Sequence, residues 1–294
     1  MTNDTLPPDN SSSTTRRLIA HRPEAVSDTQ LFLPAHPQRR GEGGLRTQGY
    51  FKQPFESAEQ RLPLLTVITV VYNSAASLER TIRSVLEQPY DNIEYIIIDG
   101  GSVDGTLEII RRYEHAVDYW VSEPDGGIYD AMNKGISCAT GDGLLFLNAD
   151  DYFHGDVIKA PLRIPSLLPV KYHDFFGRLR SVSLRNCRHG MPYCHQGIIF
   201  ENGTIRYDRA YTLSADYEYY LAHGYCDALP LKPAGDDENY VYYNNYGLSQ
   251  QQRDRRNDEA GRIIRRHFGL YYYLRYKTVA YAKKIILTLL HYLK

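Results

Sequence analysis

Acidic side chains directly follow one of the apolar segments of this sequence, where they could hold a cation. Asp150 and Asp151 come after the apolar residues 144–147. Two adjacent carboxylates after a buried strand suit a hard divalent cation that substrate phosphates also hold. Such a cation would neutralise the charge that develops on a diphosphate leaving group. The pair therefore predicts a site for Mn²⁺ or Mg²⁺.

Similar polar clusters follow the other apolar segments. Together the clusters are residues 72–73, 99–106, 123–127 and 148–151. A single cluster of this kind is most often a turn or a helix cap, and Asp104 is placed to cap the helix that follows it. Because every apolar segment in this region ends in such a cluster, the set favours one shared ligand site.

The elements that must position these clusters alternate along the chain. Strands are predicted at residues 64–71, 92–98, 117–121 and 143–147, and helices at residues 75–88, 104–113 and 128–138. Regular alternation of strand and helix predicts an α/β fold whose sheet is mostly parallel and covered by helices on both faces. Ligands of such sheets bind at the carboxyl ends of the strands, where the polar clusters occur.

Three regions of the chain differ in composition. Residues 1–61 are rich in serine, threonine, proline and glycine and lack apolar periodicity, which predicts a disordered leader, although residues 49–51 could dock on the domain. Residues 62–250 contain the alternating elements. Residues 251–294 hold eleven lysines and arginines against three acidic residues, whereas the whole chain has a net charge of -1. The last region is predicted to be a basic, amphipathic helical extension.

The end of that extension has two possible interpretations. On a helical wheel, the basic residues between 277 and 294 form one arc and the apolar residues form the opposite arc. A basic amphipathic helix can lie on a membrane surface. A terminal helix can also pack its apolar face on its own domain. Both alternatives stay open at this point.

Other features bear on location and partners. No secretory signal is recognised, and no apolar run reaches the ~20 residues that span a bilayer. The four cysteines show no metal-ligand spacing and are expected to be reduced thiols. The near-neutral charge gives no reason to expect nucleic acid as a partner. These features predict a cytoplasmic protein, at most peripheral on the inner face of the membrane.

Residues 64–222 resemble the catalytic domain of glycosyltransferase family 2, which comprises inverting enzymes with the Rossmann-like GT-A fold. The matching segments are TVITVVYN (66–73), IDGGSVDGT (98–106), SEPDGGIYDAMNKG (122–135) and FLNADD (146–151). The third segment is similar to the subgroup of colanic-acid and exopolysaccharide type. The resemblance implies that residues 62–250 form a GT-A catalytic domain with C-terminal helices after it.

The resemblance also implies roles on the donor side. Asp99 corresponds to the acid that reads the nucleotide base, with Tyr72 and Asn73 beside it. Asp150 corresponds to a ribose and metal contact and Asp151 to a metal contact.

Further positions in the matching segments are assigned to the same nucleotide-sugar site. They are Asp104, Asp125, Asp130, Asn133 and Asn148. Asn148 replaces the first aspartate of the D-x-D motif, and Met132 replaces an arginine that many relatives have.

The acceptor side is implied by two downstream segments. CHQGIIF (194–200) resembles the strand near the diphosphate and the acceptor, which assigns His195 and Gln196. SADYEYY (214–220) resembles the segment that carries the general base, which assigns Asp216. Inverting transfer needs one carboxylate to deprotonate the acceptor hydroxyl. On a helix, Asp216 and Glu218 point to different faces, so at most one of them faces the site.

The sequence thus predicts an inverting hexosyl- or N-acetylhexosaminyl-transferase. It would move a sugar from a nucleotide-sugar, with UDP favoured, to a glycan or lipid-linked glycan in polysaccharide biosynthesis. A nucleotidyltransferase would need a glycine-rich phosphate loop after the first strand, and a dehydrogenase would need G-x-G-x-x-G there. Neither motif is present. A catalytically silent nucleotide- or glycan-binding relative is the remaining alternative.

Overall fold

The computed structural model describes residues 29–52, 55–56, 61–226, 233, 238–245 and 252–292. The strands are β1 (Gly41–Gly43), β2 (Phe55–Glu56), β3 (Arg61–Leu62), β4 (Leu65–Val71), β5 (Ile93–Asp99), β6 (Tyr119–Ser122), β7 (Gly143–Phe146), β8 (Tyr152–His154), β9 (Ser166–Leu167), β10 (Val170–His173), β11 (Leu179–Ser181), β12 (Ile198–Glu201) and β13 (Tyr240–Tyr242). The helices are α1 (Ala75–Leu86), α2 (Thr106–Arg112), α3 (Ile128–Cys138), α4 (Ala215–Ala222) and α5 (Arg253–Tyr292).

The core is a seven-stranded sheet in the order β1-β6-β5-β4-β7-β12-β9. The strands β6, β5, β4 and β7 are parallel, and β1, β12 and β9 add antiparallel pairs at the two edges. Every residue of β4 and β5 is buried, as expected of strands covered on both faces. The predicted α/β fold with a mostly parallel sheet is confirmed, and its strands and helices lie within a few residues of their predicted bounds.

The chain reverses its direction of travel across the sheet at β4. It runs from β4 to β5 and β6 on one side, and α3 then carries it back to β7 on the other side. In open α/β sheets a crevice forms at such a switch point, outside the carboxyl ends of the strands. The fold therefore places the residues that follow β4 and β7 at the mouth of one crevice.

The described part of the N-terminal region packs on the domain. β1 pairs with β6, and Leu31, Leu45 and Phe51 are buried. Arg46 is 3% exposed and forms a buried ion pair with Glu94 of β5. The prediction of a disordered leader is therefore wrong for residues 29–52, because a buried ion pair and a strand hydrogen-bonded to the sheet fix them. Docking at residues 49–51 is confirmed for Phe51, and residues 1–28 lie outside the described residues.

A smaller sheet covers the end of the crevice beside β7. Its four strands have the order β11-β10-β13-β8. Phe153, Val170 and Val241 are buried in the core beneath it. It is formed by strands within residues 152–181 and by residues 240–242. The predicted acceptor segment 247–249 lies outside the described residues.

α5 is two helical arms that fold back on each other. Gly269 breaks the helix with φ 84° and ψ -176°, a backbone conformation that favours glycine. In a straight helix, residues 19 positions apart are about 28 Å apart. Here the hydroxyl of Tyr276 donates to Oδ1 of Asn257 over 3.4 Å, so residues 270–292 return along residues 253–268.

The first arm of α5 packs on the catalytic domain. Ile263 and Ile264 are fully buried in its core. The apolar side chains predicted near the end of the second arm lie outside the described residues. Among the described residues, no helix is long and apolar enough to cross a membrane.

Cys187 and Cys226 form a disulfide, although they are 39 residues apart in the sequence. Cys138 and Cys194 are free. The expectation of four reduced thiols is therefore wrong for one pair. Sequence spacing could not reveal this pair, because it is the packing of the loop before β12 against the end of α4 that brings the two sulfur atoms together.

Candidate functional site

A cleft of about 1810 Å³ opens at the carboxyl ends of β4 and β7 and extends to α4 and α5. Several of the predicted site residues line it. They are Tyr72, Asp125, Asn148, Asp150, His195, Gln196 and Asp216. The other predicted residues do not line the cleft, and each of them supports a neighbouring loop or helix.

The turn after β4 presents Tyr72 to the cleft. Tyr72 is 65% exposed, whereas Asn73 adopts a left-handed conformation with φ 48°. The Asn73 side chain accepts a hydrogen bond from the backbone N–H of Val103, and its own N–H donates to the hydroxyl of Ser102. Asn73 therefore joins the loops after β4 and β5, and Tyr72 is the side chain free to meet a ligand.

Asp99 lies beneath the cleft instead of on its surface. It is fully buried at the end of β5 and accepts hydrogen bonds from Ser102 and Ser122. The carboxylate is already surrounded by donors, and the predicted direct contact with a nucleotide base stays a prediction. Asp99 shapes the loop on which Gly100 approaches Asp125.

Asp125 is the acid that reaches the cleft at this point. Burial raises the pKa of its carboxyl group, and hydrogen bonding by the N–H of Gly127 opposes the rise. A Cβ atom on Gly100 would lie 2.7 Å from Oδ2 of Asp125 and 3.3 Å from the ring of Tyr72. The close approach of these side chains therefore depends on a glycine at position 100.

Asp104 connects the starts of two helices. Its carboxylate accepts from the N–H of Ala75 at the start of α1 and from the N–H and hydroxyl of Thr106 at the start of α2. These hydrogen bonds hold the pKa of Asp104 below its usual value, led by that from the Thr106 hydroxyl. The N-cap residue of α2 is Gly105, one residue later than predicted. Asp104 accepts from the first N–H groups of both helices and does not line the cleft.

Asp130 and Asn133 support the outer side of α3. Asp130 accepts from the N–H of Gly126 and pairs with Arg209 at 3.0 Å. Asn133 exchanges two hydrogen bonds with the backbone of Tyr207. Both side chains are occupied by protein partners away from the cleft, and their predicted contacts with the nucleotide and sugar stay predictions.

The acids after β7 separate into one that faces the cleft and one that is buried. Asp150 lines the cleft and accepts from Nδ2 of Asn244 over 2.9 Å. Asp151 is 1% exposed and accepts from Nε2 of Gln196 and from the N–H of Asn244. Burial, together with the charge of Asp150, raises the pKa of Asp151 well above its usual value. Asp151 therefore points into the protein, and its predicted contact with a cation stays a prediction.

Asn148 and Asp150 fit one side of a divalent cation site. Within the described part of the chain, Oδ1 of Asn148 is buried and has no hydrogen-bond partner. A buried amide oxygen without a donor is costly, and a bound cation would satisfy it. No group of three or more His, Cys, Asp or Glu side chains that could hold a metal occurs among the described residues. A cation here would therefore depend on substrate phosphates for its other ligands, as Mg²⁺ commonly does.

Asp216 faces the cleft from the first turn of α4. Its Oδ1 accepts from the hydroxyl of Tyr129 over 3.4 Å, and its Oδ2 lies 3.8 Å from Nδ1 of His195. Burial lowers the pKa of His195, and the nearby carboxylate of Asp216 opposes this shift. His195 is therefore neutral near pH 7. Neither Tyr129 nor His195 then gives Asp216 a positively charged partner.

Glu218 points away from the cleft, as the helical spacing predicts. Its carboxylate contacts Nε2 of His267 at 2.9 Å on α5. Gln196, which precedes β12, accepts from the Cys194 thiol and donates to Asp151. Gln196 thus links the predicted acceptor side to the loop that presents Asp150.

Three contributors were not predicted from the sequence. Tyr129 lies within the segment 122–135, so the motif itself could have indicated it. Asn244 contacts both acids after β7 from 93 and 94 residues away. Glu259 holds the loop before α4 from the first arm of α5. Nothing in the local sequence marks Asn244 or Glu259, because their partners are distant along the chain.

The fold is that of the GT-A-type transferases. The structure is similar to that of S. aureus TarS in complex with UDP, with a TM-score of 0.52 and 18% sequence identity over 68% of this chain. The chain covers 64% of the TarS chain in that complex, which is less than two thirds of its length. At this level of identity the similarity establishes the fold alone.

The chain belongs to glycosyltransferase family 2. The sequence model of Glycosyl transferase family 2 matches residues 66–162. An uncharacterized glycosyltransferase of Mycobacterium tuberculosis is 38% identical over 178 residues, which cover 54% of this chain and 68% of that protein. A PGL/p-HBAD biosynthesis glycosyltransferase of Mycobacterium bovis is 29% identical over 181 residues, covering 53% of this chain and 68% of that protein.

Proposed function

We propose that this chain transfers a sugar from a nucleotide diphosphate sugar to an acceptor hydroxyl with inversion at the anomeric carbon. One observation carries the proposal. Asp150, after β7, and Asp216, on α4, line the same cleft at the switch point of the sheet. Asp150 then lies on the side that would bind the diphosphate, and the carboxylate of Asp216 can face the acceptor.

In this mechanism Asp216 accepts the proton of the acceptor hydroxyl. The acceptor oxygen then bonds to the anomeric carbon, and the bond from that carbon to the diphosphate oxygen breaks. Tyr129 donates to Asp216 and orients its carboxylate, while neutral His195 lies on its other side. A positioned base of this kind contributes about 10²–10⁴-fold to the rate.

Asn148 and Asp150 would hold Mn²⁺ or Mg²⁺ together with the donor phosphates. A cation at that point supplies positive charge that stabilises the departing diphosphate. Tyr72 and Asp125 lie where they can contact the nucleoside, on the side of β4 that leads to β5. Asp151, Gln196 and Asn244 keep the loop of Asp150 in place through their hydrogen bonds.

The proposed donor is a UDP-sugar carrying a hexose or an N-acetylhexosamine. The fold is shared with a protein that has been crystallised with UDP. The proposed acceptor is a glycan or lipid-linked glycan in polysaccharide synthesis, of exopolysaccharide or colanic-acid type, as the segment 122–135 suggests.

The proposed location is the cytoplasmic face of a membrane. Large apolar side chains of the second arm of α5 are exposed, among them Leu270 (56%), Tyr271 (68%) and Leu274 (54%). Together with the basic residues of that arm they suit an interfacial contact with anionic lipid. A Leu270→Ser, Leu274→Ser variant should then bind anionic vesicles more weakly than the unchanged chain, and equal binding would remove this part of the proposal.

The disulfide between Cys187 and Cys226 bears on the proposed location, because disulfides are uncommon in a reducing cytoplasm. Thiol labelling of the protein purified under non-reducing conditions would count its free cysteines. The disulfide predicts two labelled thiols, which would argue against a cytoplasmic location, whereas four would agree with that location and contradict the disulfide.

The deciding experiment measures nucleoside diphosphate release from UDP-, GDP- and dTDP-sugars, with Mn²⁺ or with EDTA. Cation-dependent release from one donor, lost in Asp150→Ala, would support the donor site. Asp216→Asn should keep nucleotide binding and lose transfer. Nucleotide binding without turnover of any donor, even with glycan and lipid-linked acceptors supplied, would favour the silent relative instead.

A further inference from the structure

The wall of the cleft beyond Asp216 is rich in arginine. Four arginines line the cleft, namely Arg253 and Arg256 from the first arm of α5, Arg275 from the second arm, and Arg185 from the loop after β11. We call these residues the arginine wall. The fold-back of α5 creates it, since it brings residue 275 of the second arm beside residues of the first arm.

Specific contacts place the arginine wall next to the proposed base. The hydroxyl of Ser214 donates to the carbonyl oxygen of Arg256 over 3.1 Å, and Asp216 follows two residues later. The hydroxyl of Tyr276 donates to Asn257. Arg275 directly precedes Tyr276 in the chain, and Arg256 directly precedes Asn257. The Cβ position of Gly190 lies 3.9 Å from the ring of Tyr276, which brings the loop of Arg185 to the same wall.

Within the described ranges, the positive charge of the wall is not neutralised by close ion pairs, because no salt bridge within 4.0 Å joins any of these guanidinium groups to a carboxylate oxygen. Other arginines of α5 do pair, as Arg266 does with Glu218 at 3.4 Å. Asp254 is the acidic residue that α5 contributes to the cleft. Guanidinium groups that line one cleft can bind phosphate oxygens through pairs of hydrogen bonds.

We propose that the acceptor carries a phosphate or diphosphate group, which the arginine wall binds while Asp216 faces the acceptor hydroxyl. This inference rests on the proposed transferase function and specifies the substrate class of its acceptor side. The acceptor phosphate stays intact in the reaction. The acceptor hydroxyl loses its proton to Asp216, its oxygen bonds to the anomeric carbon, and the nucleoside diphosphate leaves.

The phosphate can belong to a lipid or to a water-soluble sugar phosphate. Val279 of the second arm also lines the cleft and is 49% exposed, and Tyr281 is 68% exposed nearby in the chain. An apolar surface beside a phosphate-binding wall suits an amphiphilic acceptor. The two sources are separated by comparing dodecyl phosphate with glucose 1-phosphate as probes.

Calorimetric titration with saturating UDP, which occupies the donor side, tests the arginine wall. The unchanged chain should bind dodecyl phosphate more tightly than the uncharged dodecyl maltoside, and added salt should weaken that binding. The double variant Arg256→Gln, Arg275→Gln should lose about tenfold or more in affinity for dodecyl phosphate, because charge-assisted hydrogen bonds are removed. The matched control is Arg262→Gln, Arg265→Gln, exposed arginines of α5 that do not line the cleft.

Equal affinity for dodecyl phosphate and glucose 1-phosphate would support the arginine wall with a water-soluble acceptor, and tighter dodecyl phosphate would support a lipid-linked one. Unchanged affinity in a double variant that still binds UDP would overturn the inference, as would equal binding of dodecyl maltoside by the unchanged chain. Arg185→Gln, on a different element, repeats the test if the double variant does not fold. A chain that binds dodecyl phosphate but no nucleotide would instead refute the proposed transferase function.

Discussion

The carboxylate of Glu259 on α5 accepts hydrogen bonds from the N–H and the hydroxyl of Thr212, 47 residues earlier in the chain. It also accepts from the N–H of Leu213 over 2.8 Å, and Glu259 is 2% exposed. These bonds fix the segment that leads into α4, whose first turn carries Asp216. The C-terminal helix therefore helps to position the proposed base, although Glu259 itself does not line the cleft.

Replacing Glu259 should impair turnover more than donor binding. In Glu259→Gln an amide NH₂ meets backbone N–H donors, so the loop before α4 must shift. Since a displacement of about 1 Å can cost about 10²-fold in rate, we expect kcat to fall by about tenfold to a hundredfold. UDP affinity, measured by calorimetry, should stay nearly unchanged. Asp258→Asn, the exposed neighbour, is the control, and an unchanged kcat in Glu259→Gln would contradict the positioning role.

A methyl group at position 100 should weaken nucleotide binding. In Gly100→Ala the new Cβ would lie 2.7 Å from Asp125, so Asp125 and Tyr72 would have to move. Such overpacking costs about 1–3 kcal/mol, and we expect about tenfold weaker UDP binding. Gly203 has nothing within 4 Å of its Cβ position, so Gly203→Ala should bind UDP like the unchanged chain. Equal UDP affinity in both variants would show that Asp125 and Tyr72 do not contact the nucleotide.

The N-terminal segment should be required for stability. Arg46 pairs with Glu94, which also accepts from Thr66 and Thr140. Although burial opposes the charge, Arg46 and these donors hold the pKa of Glu94 below its usual value. Arg46→Met leaves that charge buried and unpaired, so the free energy of unfolding should fall by about 3–5 kcal/mol in urea titration.

The exposed pair of Arg83 and Glu87 provides the comparison for that measurement. Its side chains are 63% and 65% exposed, so Arg83→Met should change the unfolding free energy by at most about 1 kcal/mol. Similar small losses in both variants would indicate that residues 29–52 contribute little to the stability of the fold.

Stability should decrease in mild acid because of His195. Burial lowers its pKa from the usual 6.5 in the folded chain, so below about pH 6.5 the unfolded chain binds more protons than the folded chain. The free energy of unfolding should therefore decrease as the pH is lowered below about 6.5, by up to about 1.4 kcal/mol per pH unit for His195. His195→Gln should have a shallower pH dependence in urea titrations from pH 7.5 to 5, whereas His115→Gln, at an exposed position, should match the unchanged chain. A parallel pH dependence in all three would contradict a buried, neutral His195.

The sequence by itself determined the alternating elements, the polar clusters and the family. Continuous β-branched strands such as 65–71 and helices with apolar stripes specify their own type locally, and the order of strand and helix specifies a parallel sheet. The cleft position of Tyr72, Asp125 and Asp150 could likewise be predicted, because side chains just after parallel strands meet at one edge of the sheet. Asp216 lies on α4, and it was assigned from the resemblance to glycosyltransferase family 2.

The tertiary structure decided which acids face the cleft. Asp99 and Asp151 lie in polar clusters at the ends of strands, as the acids that line the cleft do. The direction of each carboxylate, however, depends on donors such as Ser122 and Asn244, which are far away in the sequence. The same holds for Arg46, whose polar surroundings in the sequence gave no sign of its buried partner. Local patterns determine secondary structure and the edge of the sheet, whereas the environment of a charged group is determined by long-range packing.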